Sequence, residues 1–123
     1  MSDNVIKEKS FEFSLNIIEI YRGIISVKKE YVLSKQLLRS GTAVGALISE
    51  AEYAQSKSDF INKMSIGIKE CNETLYWLRL LRKSNFIDED QFDLLFKKCN
   101  ELLRLLSSII ITSKKSINRK IKN

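Results

Sequence analysis

The chain has 123 residues, of which 44% are hydrophobic and 29% charged, so its composition indicates one globular domain and excludes a disordered chain. It contains no proline and four glycines, which predicts long helices joined by short turns. The formal net charge is +6 and no acidic residue follows Glu101, which favours a polyanion as partner. The alternative is that the basic C-terminus only complements a helix dipole.

Two long apolar segments and two cysteines limit the class of protein further. The apolar windows LYWLRLL and LLRLLSSIIIT are shorter than the ~20 residues that a membrane span requires. The start, MSDNVIKEKS, lacks a basic stretch followed by an apolar run and predicts no secretory signal. Cys71 and Cys99 stand apart in a chain without histidine. We therefore expect no membrane, no metal, no cofactor and reduced thiols in the cytoplasm.

The first two helices follow from apolar residues at helical spacing. A first helix is predicted over residues 9–28 and a second over residues 31–55. The apolar stripe of the first is predicted to contain Phe13, Ile17, either Ile20 or Tyr21, Ile24 and Val27. Ser58 is predicted as the N-cap of a third helix that runs from about residue 59 to 83.

The fourth helix begins after Asp88, which has Gln91 three residues later in the spacing of a capping box. Its apolar pattern leads towards a basic tail at about residues 114–123. No segment alternates with a period of two residues, as a half-buried strand would. The sequence therefore predicts an all-α fold, a single antiparallel up-down four-helix bundle over residues 1–123.

The segment QLLRSGTAVGALISEA holds Gly41 and Gly45 among other small residues. It is no phosphate-binding loop, because Ala46 stands where that motif has lysine and no strand precedes it. A stripe that continues through Val44 and Ile48 excludes a flexible linker and predicts a close helix contact. The contacting helix belongs either to the same bundle or to another subunit.

Adjacent aromatic residues, Tyr76 and Trp77, are predicted to anchor a helix or subunit contact, with a platform for a base or ligand as the alternative. Glu70 and Glu73 have the spacing of part of a di-iron site, but no histidine completes it. No nucleophile stands beside a base. We therefore expect no catalytic residues and no enzymatic activity.

Basic side chains are the candidate contacts for nucleic acid. Lys35 and Arg39 lie one helical turn apart beside the small face of the second helix. The other candidates are Lys57, Lys114, Lys115, Arg119 and Lys120. The alternative for each is that it only keeps an outer helix face in water.

Five short blocks occur in order: QLLRSGT, S-E-A, S-x-x-DFI, K-x-S-I-x-x-K-E and E-T-x-YWL. They resemble a bacterial four-helix-bundle family that is encoded by intervening sequences in large-subunit ribosomal RNA genes and was formerly classed as a ribosomal protein. One departure is Leu47, where the family usually has asparagine.

This resemblance implies a left-handed four-helix bundle that assembles as a ring-shaped homopentamer. It also implies a relation to the accessory variability protein of diversity-generating retroelements, which binds nucleic acid and a reverse transcriptase. Together with the basic tail, it leads to a non-enzymatic, oligomeric bundle that binds RNA or DNA through basic surface. The alternative is a scaffold for a reverse transcriptase or ribosomal component, without direct binding of nucleic acid.

Overall fold

A computed structural model describes the backbone of residues 2–122 and the side chains of residues 5–119. Its helices are α1 (Ser2–Gly23), which continues into one π-helical turn (Ile24–Lys28), α2 (Leu33–Ala51), α3 (Lys57–Lys83) and α4 (Glu89–Lys122). No strand occurs in this part of the chain. The all-α four-helix bundle predicted from the sequence is confirmed.

The helices follow an up-down order in which neighbours in sequence are neighbours in space. α2 packs against α1 and α3, while α4 packs against α3 and, less extensively, α1. The ion pairs Lys9–Glu101 and Lys98–Glu12 close the bundle between antiparallel α1 and α4. We call the end with the α1–α2 and α3–α4 turns the turn end, and the end with the α2–α3 turn and the C-terminal part of α4 the tail end.

The core is built from apolar side chains of all four helices. Its members at 2% exposure or less include Ile6, Phe13, Ile17, Leu37, Val44, Ile48, Leu78, Leu81, Leu95, Leu102 and Leu106. Burial of one such side chain contributes about 1.5–3 kcal/mol. Packing of these faces therefore stabilises the helices more than intrinsic propensity does.

Helix boundaries differ from the predicted ones where single side chains decide them. The first helix begins at Ser2 rather than residue 9, and the buried Ile6 anchors this additional stretch to the core. The second helix was predicted over residues 31–55 but covers Leu33–Ala51. The capping box before α4 is confirmed, with Asp88 N–H donating to Gln91 Oε1 at 2.9 Å and Gln91 N–H to Asp88 Oδ1 at 2.8 Å.

The start of α3 corrects another prediction. Ser56, and not Ser58, is the N-cap, and its Oγ accepts the Asp59 N–H at 3.0 Å. The Asp59 carboxylate in turn accepts the Gln55 N–H at 3.3 Å. Asp59, three positions after Ser56, thus bonds to the Ser56 side chain and to the backbone of the preceding Gln55, and the helix begins at Lys57.

Gly41 and Gly45 lie where α2 packs tightly against α1. A Cβ atom at Gly41 would stand 2.8 Å from Ile17 Cδ1. At Gly45 it would stand 3.1 Å from Ser14 Oγ and 3.3 Å from the Ser10 carbonyl oxygen. Absence of a side chain thus permits the α1–α2 contact. Of the two alternatives left by the sequence, the structure contains the helix contact within one bundle.

Glu30 holds the turn between α1 and α2. Its carboxylate accepts the backbone N–H groups of Val32, Leu33 and Ser34 at 2.8, 2.9 and 2.7 Å. Lys29 beside it has a φ of 56°, in the left-handed region. Burial by itself raises the pKa of Glu30, but the hydrogen bonds from the three amides together lower the pKa below its ordinary value.

Because the pKa of Glu30 is lowered in the folded state, the free energy of unfolding depends on pH. Because the folded pKa lies below the unfolded one, the ionised carboxylate stabilises the fold at neutral pH, and this contribution is lost as the pH falls through the lowered value. We expect Glu30→Gln to lower the free energy of unfolding at neutral pH and to weaken its acid dependence. Urea unfolding across a pH series, with exposed Glu8→Gln as control, measures both, and an unchanged acid dependence would contradict the account.

Candidate nucleic-acid interface

Arg39 belongs to a polar network between α2 and α3. Its Nη1 lies 3.3 Å from Glu70 Oε1, and its Nη2 contacts the Glu73 carboxylate. Glu73 also accepts the Trp77 Nε1–H at 3.0 Å. The pKa of Glu73 is lowered most by the hydrogen bond from Trp77 and next by the hydrogen bond from Arg39. The predicted phosphate contact Arg39 is therefore already paired with two carboxylates.

This pairing leads to an expected result for Arg39→Gln. Polyanion affinity should fall less than in Lys35→Gln, because Lys35 is exposed and has no ion pair with a described residue. Stability should fall by at most about 1 kcal/mol, since the Arg39 side chain is partly exposed. Fluorescence anisotropy of a labelled duplex compares the two variants, and a larger affinity loss in Arg39→Gln would contradict the assignment.

The adjacent aromatic residues have different surroundings. Trp77 packs against the core with part of its ring, whereas Tyr76 is 57% exposed. Their rings form an edge-to-face pair with centroids 5.0 Å apart. Near them in the sequence, Thr74 Oγ1 donates to Ser40 Oγ across the α2–α3 contact at 3.0 Å. Within one chain Tyr76 does not have the predicted packing role, so a role in packing would require a second subunit.

The predicted basic residues do not form one surface. Lys35 stands in the first turn of α2, at the turn end. The tail end contains Lys57, Lys114, Lys115 and Arg119. Helix α3, with 27 residues, separates the two ends by about 40 Å. The side chain of Lys120 lies outside the described residues.

The net charge is concentrated in the C-terminal part of α4. Residues 1–101 contain fifteen basic and fifteen acidic side chains, whereas residues 102–123 contain six basic and no acidic ones. Lys114, Lys115 and Arg119 are exposed and form no ion pair with the described residues. Because α4 continues to Lys122, these charges stand at fixed helical spacing. The charge distribution along the sequence identifies this basic segment, but it does not indicate that the segment is helical.

Exposed apolar residues at the turn end are a feature that the sequence interpretation missed. Val27, Tyr31 and Val32 are 75%, 58% and 71% exposed, beside Lys28 and Lys29. Val27 was predicted to face the core. That prediction is wrong because the helix changes to a π-helical turn at Ile24, which ends the regular spacing of α1. The surface combines apolar contact area with positive charge.

A second apolar surface follows the α1–α2 contact. Phe11 and Leu15 are 67% and 52% exposed on α1. Next to Phe11 lies a groove of about 370 Å³, with Ile18 on one side and Gly45 and Ala46 on the other. Large apolar side chains next to a floor of small residues are suited to contact with another helix.

The described residues restrict other chemistry. They contain no cluster of acidic, cysteine or histidine side chains arranged for a metal ion. None of their helices combines the length and apolar character needed to cross a bilayer. Cys71 and Cys99 are buried free thiols, and Cys99 Sγ donates to the Cys71 carbonyl oxygen at 3.4 Å. The pKa of Cys71 is raised most by the contact with the Cys99 thiol and next by burial.

The fold and surface define a small four-helix-bundle protein with a basic helix at one end. The chain belongs to the family described as 23S rRNA-intervening sequence protein, whose model matches residues 2–108. A crystal structure from Bacteroides thetaiotaomicron VPI-5482, of a protein with unknown function from the S23 ribosomal protein family, is similar to it with a TM-score of 0.88. The two are 50% identical over 89% of this chain and 98% of that chain. No curated protein matches.

These comparisons confirm the rRNA-intervening-sequence family that was inferred from the blocks between QLLRSGT and E-T-x-YWL. The matched region ends at residue 108. The basic residues of the tail end on α4 therefore lie beyond the matched region.

Proposed function

We propose that this protein is a non-enzymatic, cytoplasmic binding protein that contacts phosphates of RNA or DNA through the C-terminal part of α4. The observation that carries the proposal is the concentration of the whole net charge, +6, in residues 102–123. Each lysine or arginine that neutralises a phosphate releases a condensed counterion, which favours binding at low salt. Free buried thiols support a reducing compartment.

We further propose that the protein acts as a homo-oligomer. A pentamer is the form that the family resemblance implies. Phe11 and Leu15 supply the exposed apolar side chains, and the groove beside Gly45 and Ala46 supplies a complementary surface. Five copies would carry five times +6, a formal charge of +30. Several basic helices on one particle would raise affinity for a long polyanion through multivalency.

Two measurements on the purified protein test this proposal. Light scattering gives the mass of the particle for the native chain and for Phe11→Ser, which should shift to smaller mass. Fluorescence anisotropy with a structured RNA and a DNA duplex at low salt gives the affinity. A monomeric mass would refute the assembly, and no binding to either polyanion would refute the nucleic-acid function.

A protein-interaction scaffold is the second candidate. It is favoured by the exposed apolar residues Val27, Tyr31 and Val32 at the turn end, which phosphate binding does not require. Association with a protein that survives nuclease and high salt would favour the scaffold, because phosphate contacts weaken steeply with salt.

A further inference from the structure

An open cavity of about 540 Å³ lies at the tail end, between the α2–α3 turn and α4. Hydroxyl-bearing residues line it from both elements, namely Ser56 at the start of α3 and Ser108, Thr112 and Ser113 on α4. Lys57 lines the same cavity. Hydroxyls and an ammonium group are donors suited to the oxygen atoms of an anion.

Among these residues, Ser113 gives the strongest indication that the cavity binds a ligand. It is only 8% exposed, yet its hydroxyl bonds to no described residue. Among the described side chains, no fully buried polar atom lacks a partner. The Ser113 hydroxyl therefore opens towards the cavity that the residue lines, and a ligand oxygen would satisfy it.

The start of α3 adds positive potential to the cavity. Backbone N–H groups in the first turn of a helix have no partner within the helix, and they favour an anion together with the helix dipole. Lys57 is the first residue of α3. Glu52 also lines the cavity, but its carboxylate is paired with Lys7 at 2.7 Å. The Asp59 carboxylate in the first turn of α3 is engaged in capping the turn.

Basic residues on α4 extend the row of polar side chains beyond the cavity. Ser108, Thr112, Lys115 and Arg119 are spaced by four, three and four residues, so they share one face of the helix. The remaining wall is apolar and includes the ring of Phe60. An anionic group beside an apolar ring and a row of cations matches a phosphate that is attached to a nucleobase or a strand.

We propose that this cavity binds a phosphate monoester, either the terminal phosphate of a nucleic-acid strand or that of a free nucleotide. This inference rests on the proposed nucleic-acid binding and assigns it an anchoring site. The donors are the backbone N–H groups at the start of α3 that precede Asp59, the ammonium group of Lys57 and the hydroxyl of Ser113, since the Asp59 N–H is already bonded to Ser56 Oγ. Internal phosphates of the strand then follow the basic face of α4.

The test compares one oligonucleotide in three forms, with a 5′-phosphate, with a 3′-phosphate and with hydroxyls at both ends. Fluorescence anisotropy should show that the native protein binds one phosphorylated form about tenfold more tightly than the hydroxyl form. Lys57→Gln and Ser113→Ala should each weaken binding of that phosphorylated form more than binding of the hydroxyl form, so each should reduce the preference. Lys63→Gln, on α3 but paired with Glu50 at 3.4 Å, is the matched control and should retain the preference.

Competition with AMP identifies the source of the phosphate. If AMP displaces the phosphorylated oligonucleotide and adenosine does not, the site binds a free nucleotide. If AMP does not displace it, while the protein still prefers the phosphorylated form, the site binds a strand terminus. Equal binding of all three forms would overturn the inference while leaving nucleic-acid binding intact. Retention of the preference in Lys57→Gln, whose exposed side chain is not needed for folding, would overturn it as well, and absence of all binding would refute the proposed function with it.

Discussion

Replacing Gly41 by leucine should lower the free energy of unfolding by about 3 kcal/mol or more, because overpacking of a filled core strains side chains and backbone. The Cβ atom alone would stand 2.8 Å from Ile17 Cδ1. Ile17 is fully buried, so it cannot move into solvent to make room. Thermal and urea unfolding followed by circular dichroism measure the loss.

The other glycines provide controls in the same chain. A Cβ atom at Gly23 meets nothing within 4 Å, and at Gly67 it meets Leu106 at an ordinary 3.5 Å. Gly23→Ala should therefore stabilise the protein by about 0.5–1 kcal/mol, through the lower entropy of the unfolded chain. A Gly41→Leu variant as stable as Gly23→Ala would contradict the close α1–α2 contact.

Removing three charges from the tail end should have the largest effect on binding. In the variant Lys114→Gln, Lys115→Gln, Arg119→Gln, we expect affinity for a DNA duplex at low salt to fall by at least about tenfold, because three phosphate contacts are lost. Folding should persist, since all three side chains are exposed and only favourable interactions with the helix dipole disappear.

A variant with the same change in charge at the other end is the matched control. Lys28→Gln, Lys29→Gln, Lys35→Gln removes three cations from the turn end, about 40 Å away. Its affinity should fall much less than that of the tail-end variant, because Lys35 is one isolated contact at that end. Equal losses in the two variants would show that overall charge, rather than the basic helix, determines binding.

The fold was largely predictable because the apolar residues repeat at helical spacing and short polar stretches separate the repeats. Val27 was not predictable, since a local change to a π-helical turn leaves no clear signal in composition. The partner of Gly41 was also undetermined. A small face indicates a close contact but does not identify the helix that makes it.

The candidate site was less predictable because it depends on contacts between distant segments. Arg39 is basic in the sequence, but Glu70 and Glu73 on the next helix neutralise it. The hydroxyl cavity combines the α2–α3 turn with Thr112 and Ser113 of α4, which sequence spacing alone cannot place together. Charge along the chain did identify the tail residues, because that signal is local.

The central claim is that the basic end of α4 binds phosphates. The most direct test is the dependence of duplex affinity on salt concentration, measured by fluorescence anisotropy for the native protein and the two triple variants. We expect a steep slope for the native protein, reduced by about 2–3 in the tail-end variant and by about 1 or less in the turn-end variant, since each phosphate contact contributes about 0.9 to the slope. A native slope that the tail-end variant retains in full would contradict this claim.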